Sequence, residues 1–78
     1  MVYKNVERIR EAKGVTKTYL SRKLGLTLQG YRHIATGETR LDVERLRVIA
    51  LALGVDVGVF FDRSLTESVI DEMENQTA

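Results

Sequence analysis

Apolar side chains recur along the chain at spacings of three and four, and alternation at period two never persists, so each long segment fits a helix better than a strand. Val6, Ile9 and Ala12 mark the inward side of a first helix running from about Tyr3 or Lys4 to Lys13, with Gly14 as its stop. Leu20 and Leu24 mark a second, which Thr16 is placed to cap and Gly25 to end in a left-handed conformation. Thr27 can cap a third helix, closed by Gly37, in which Tyr31, Ile34 and Ala35 share one side. Asp42 can cap a fourth, reaching about Leu53 and burying Leu46, Ile49, Ala50 and Leu53, and Asp56 opens a short fifth, V-G-V-F-F. The expected fold class is all-α: a compact five-helix domain over residues 1–63, then an acidic tail over 64–78. In that tail Thr66 can cap a short extra helix with Val69, Ile70 and Met73 on one side, and Leu65 is placed to staple onto Ile70.

The third helix has a second side. Leu28, Gln29, Arg32 and His33 fall opposite Tyr31, and a buried role there would leave Arg32 as a costly unpaired charge. That side therefore points outward, with a make-up that suits the edges of bases. Gln29 can both give and take a hydrogen bond on adenine, and Arg32 can fork onto guanine. Both are equally at home as solvated helix residues, so position has to decide. His33 stands without a second histidine or any cysteine, which leaves no thiolate or histidine cluster to hold a metal. Gly30, in mid-helix, costs about 1 kcal/mol relative to alanine, and either tight helix packing or close approach of a sugar-phosphate strand would account for it.

Composition narrows the classes. The formal net charge of +1 conceals an asymmetry: residues 1–61 hold eleven basic and six acidic side chains, or +5, whereas residues 62–78 hold one and five, or −4. Lys17, Arg22, Lys23, Arg32 and Arg40 cluster in or beside the second and third helices. The absence of cysteine excludes disulfides, and with them the usual framework of small exported domains. The longest apolar stretch, residues 48–55, is far shorter than the roughly 20 residues of a membrane span, and the N-terminus has no apolar leader. A cytoplasmic, membrane-free protein is expected. Enzyme chemistry finds no nucleophile beside a base, no glycine-rich phosphate loop after a strand and no metal cluster, so neither activity nor cofactor is expected.

With a helix-turn-helix as its second and third elements, the layout resembles the phage-repressor and Cro, or XRE-type, family of DNA-binding domains. The residues that carry the likeness are R-x-x-K-G at Arg10 to Gly14, the block T-K-T-Y-L-S-R-K-L-G-L-T, the glycine at Gly37, and A-L-A-L-G-V at Ala50 to Val55. The resemblance implies a third helix in the major groove of double-stranded DNA and a second helix whose start sits on the backbone. It places Leu28, Gln29, Arg32 and His33 at base-reading positions. Lys17, Thr36, Thr39 and Arg40 fall at phosphate positions, and apart from the resemblance the hydroxyl of Tyr19, the charge of Lys23 and the capping Thr27 are expected to add phosphate contacts. Where that family commonly has a glutamate paired with an arginine at the position of Arg10, this chain has Ala35. Arg10 then finds Glu7, Glu11 or a carbonyl, or is left free to reach DNA. Leu28 stands where a polar reader is more usual and can meet only a thymine methyl.

Val57, Val59, Phe60 and Phe61 offer more apolar area than one short helix covers, which points to a homodimer interface. The implied function is a transcriptional regulator, most simply a repressor on a palindromic operator; a phage-type immunity repressor, a mobile-element regulator and a restriction-modification controller all fit. Seventy-eight residues leave no room for a sensing or self-cleaving domain, so control is expected from concentration, a partner or competition. The alternative is an antitoxin or interaction module whose C-terminal segment binds a partner protein. Order in Leu65 to Met73 discriminates the two.

Overall fold

The computed structural model describes residues 1–77, which form α1 (Val2–Ala12), α2 (Lys17–Leu24), α3 (Leu28–Ala35), α4 (Val43–Leu53), a short 3-10 helix (Val57–Phe61) and α5 (Arg63–Thr77). No strand occurs among the described residues. The expected caps are in place: Thr16 Oγ1 accepts from Tyr19 N at 3.0 Å, Thr27 Oγ1 from Gly30 N at 3.0 Å, and Asp42 Oδ1 from Arg45 N at 2.8 Å. Each satisfies an amide that the first helical turn leaves without a partner. Asp56 does the same for Gly58 N at 2.8 Å and starts the 3-10 helix. Between α2 and α3 the chain reverses at Gly25, whose φ of 68° is left-handed, so the two helices are joined by only three residues.

One core joins these elements: Val6 and Ile9 from α1, Leu20 from α2, Tyr31 from α3, Leu46, Ile49, Ala50 and Leu53 from α4, and Phe60 from the 3-10 helix. Asn5 Nδ2 donates to the Phe60 carbonyl at 2.9 Å and ties the 3-10 helix to α1. The tail differs from expectation. Its helix begins earlier, capped by Asp62, whose Oδ1 accepts from Leu65 N at 3.1 Å. Thr66 is not the cap: it lies inside the helix, fully buried, and donates its hydroxyl to the Val59 carbonyl at 2.7 Å. Leu65, expected to staple onto Ile70, is 49% exposed. α5 packs against α1 and the 3-10 helix, with Val69 against the core and an Arg8–Glu67 ion pair across the seam.

Candidate nucleic-acid interface

Burial divides α3 as its periodicity requires. Tyr31 and Ile34 are buried, Ala35 is partly so, and Gln29 and Arg32 are exposed, with His33 half exposed beside them. Leu28 lies at the margin, partly buried, and has no polar group to offer. Gln29 and His33, one turn apart, touch: Gln29 Nε2 lies 3.0 Å from His33 Nε2. Glu38, from the turn after α3, brings a carboxylate oxygen to 3.9 Å from the same ring nitrogen. The guanidinium of Arg32 meets no partner among the described residues. The face therefore presents a forked cation beside an amide and an imidazole, the donor and acceptor set for base edges.

The helix is held in place from beneath by a buried polar network that the sequence left open. Arg10 is 9% exposed; its Nε donates to Glu7 Oε2 at 2.8 Å and its Nη1 to the Val15 carbonyl at 2.7 Å. Tyr31 donates its hydroxyl inward to Glu7 Oε2 at 2.7 Å. Glu7 thus fills the place left by Ala35, and Arg10 is bound rather than free to reach a ligand. Burial pushes the Glu7 carboxyl up, but the hydrogen bonds from Arg10 and Tyr31 outweigh it and hold the group below its ordinary 4.5. Burial, and then the bond to Glu7, push the Tyr31 phenol well above its ordinary range, and the bond to Glu7 raises Arg10. All three charges and donors are thereby fixed in one protonation state around neutrality.

The remaining sites divide into two groups. Lys17 opens α2 just after its cap, and Thr27 sits at the cap of α3, where its oxygen accepts from Gly30 N and its own proton stays available to donate outward. Thr36 follows α3 with its hydroxyl 3.2 Å from the Arg32 carbonyl, and Thr39 and Arg40 lie in the loop beyond. Gly37 is required there: its φ is +84°, and a β-carbon would lie 2.7 Å from the Tyr3 ring. Gly30 has no such constraint, since a β-carbon would meet Thr27 Oγ1 at 3.4 Å and Leu26 at 3.5 Å, ordinary contacts. Packing of α2 on α3 therefore does not explain it.

Tyr19 and Lys23, expected near phosphates, lie together on the exposed side of α2. The Lys23 ammonium sits 5.3 Å from the centre of the Tyr19 ring, and the pair borders a groove of about 300 Å³ walled by Val48, Leu51 and Ala52 of α4. Leu51 is 83% exposed, and on its other side a groove of about 210 Å³ continues to Val55 and Val57. Of the residues expected at a dimer surface, Val57 and Val59 are half-buried and Phe61 is 63% exposed, but Phe60 is fully buried within the single chain. The 3-10 turn directs one aromatic ring into the core and the next outward, so Phe60 has no surface to share. Sequence reasoning passed over Leu51, although Leu46, Ile49, Ala50 and Leu53 already occupy the inward side of α4 and leave Leu51 opposite.

A capped second helix, a left-handed glycine turn and a third helix with a solvent-facing polar side define a helix-turn-helix protein. The family described as Helix-turn-helix matches residues 6–60, and the chain belongs to it, as a DNA-binding transcriptional regulator of the XRE type. That family is one of regulators rather than enzymes. No curated protein and no solved structure matches the chain. Among the described residues no helix is long and apolar enough to cross a membrane, and no group of three metal-ligating side chains occurs.

Proposed function

We propose that the chain is a repressor that binds a partly palindromic operator as a homodimer and occludes it. The observation that carries this reading is the division of α3, with Tyr31 and Ile34 locked inward and Gln29, Arg32 and His33 outward. In a major groove Gln29 and Arg32 make the hydrogen bonds that distinguish base pairs, His33 adds to them, and Leu28 meets a thymine methyl at the edge. Lys17, Thr27, Thr36, Thr39 and Arg40 fix the register on the phosphates, and Thr27 has its proton free for that purpose.

The dimer surface is the outward side of α4 with the 3-10 helix: Val48, Leu51, Val55, Val57, Val59 and Phe61. Leu51 supports this reading, since a leucine so exposed between two apolar grooves gains about 1.5–3 kcal/mol if covered. A two-fold axis through such a patch sets two copies of α3 for successive half-sites. Packing of α5 on α1 favours the regulator over the antitoxin, because Val69 and Thr66 are already engaged within the chain. Selection of bound sites from random duplex DNA, followed by a salt titration on the selected site, tests the function. A partly palindromic site is expected, with log affinity falling against log salt at a slope of about −5 to −9 per dimer. Affinity that is weak and indifferent to salt contradicts it.

A further inference from the structure

We propose that Gln29 and His33 read one base pair jointly, and that protonation of the imidazole reverses what the amide presents to the groove. The proposal rests on the reading above, in which the outer side of α3 faces base edges. Gln29 Nε2 lies 3.0 Å from His33 Nε2, so the amide approaches the ring through its nitrogen. A neutral ring nitrogen can accept there: the amide donates one N–H to Nε2, and the ring carries its own proton on Nδ1. The carbonyl oxygen of Gln29 and its other N–H then remain side by side on the outward edge. One acceptor and one donor in that order suit bidentate contact with adenine.

The protonated ring carries donors on both nitrogens and can accept nothing. Its Nε2–H requires the oxygen of Gln29, which the amide supplies by turning half a revolution about its last bond. Acceptor and donor exchange places toward the groove while the helix stays still, so the base pair that matched before no longer does. The side chain of His33 is 45% exposed, open to exchange with solvent. The ionisable group facing the ring is Glu38, with Oε2 at 3.9 Å from Nε2; Arg32 is its charged neighbour within α3. Neither can take the place of Gln29 as the group between the ring and a base edge one turn back along the helix.

Sites selected from random duplex DNA at about pH 8 and about pH 5.5, with the wild type and with His33→Ala, test the proposal. The expected result is one site at both pH values apart from a single base pair per half-site, whose preference changes by about tenfold in competition between duplexes differing there alone. His33→Ala should select the same base pair at both. A wild-type preference that does not move with pH, or a change that persists in His33→Ala, overturns the joint reading while leaving the DNA-reading role of α3 intact. A library that enriches no duplex at either pH overturns both.

Discussion

On the inner side of α3 the hydroxyl of Tyr31 is donated to Glu7, which also receives Arg10, which in turn reaches the Val15 carbonyl. One residue further along, on the outer side, Arg32 meets no partner among the described residues. The same helix thus carries two arrangements of polar chemistry. Inside, among apolar neighbours, every donor and acceptor is matched, because an unmatched one would cost several times what a hydrogen bond gains. Outside, water satisfies the groups until a better-shaped partner replaces it. The difference is one of commitment: groups bonded within the fold set the position of the helix, and groups left to solvent remain available to a ligand.

Removing one member of the inner network should therefore have the largest effect. Glu7→Ala leaves Arg10 buried without its carboxylate and should cost about 3 kcal/mol of stability, measured by urea unfolding. The same network makes a pH prediction. Because the Glu7 carboxyl is held below its ordinary 4.5, it contributes stability that is fully present above that value and is lost as pH falls through the lower, folded one. Acid unfolding curves should show this loss in the wild type and a smaller one in Glu7→Gln. Gly37→Ala comes next: the left-handed backbone and the Tyr3 ring 2.7 Å from the added carbon should together cost about 2 kcal/mol, read as a lowered melting temperature.

The outer surface should behave differently. Leu51→Glu, at a residue 83% exposed, should leave helicity and melting of the monomer almost unchanged, yet shift sedimentation toward monomer and weaken operator binding. A wild type that stays monomeric at high concentration and on its operator contradicts that surface assignment. Gly30→Ala should be the mildest. The added carbon fits at 3.4 Å and should stabilise the helix by up to about 1 kcal/mol. Weaker DNA binding by that more stable variant would locate a close approach of the sugar-phosphate strand at residue 30.

Local features were legible in the sequence. Thr16, Thr27, Asp42 and Asp56 cap the elements they precede, because a cap depends on the residue and an amide two or three positions away. The division of α3 followed from periodicity for the same reason. What depended on distant contacts was not legible. Tyr31 and Glu7 are 24 residues apart, and nothing local says that the hydroxyl turns inward. Phe60 and Phe61 are alike as letters, and only the 3-10 turn decides which ring enters the core. Thr66 looked like a cap because it is a threonine before an apolar run, but Asp62 captures the helix start one turn earlier and leaves Thr66 to the Val59 carbonyl. Tyr3 gave no sign of lying against Gly37, since the contact is made across the fold.

The central claim is that the outer side of α3 recognises sequence and does not hold the fold. It is tested most directly by the affinities of the wild type and of a Gln29→Ala, Arg32→Ala double variant for a selected duplex and a scrambled one, with melting curves alongside. Each side chain should contribute about 1–3 kcal/mol on the selected site. The double variant should thus lose on the order of a hundredfold there, little on the scrambled duplex, and nothing in melting temperature. Equal losses on both duplexes, or a drop in melting temperature that accounts for the loss, would contradict the claim and return these residues to the phosphate contacts or to the fold.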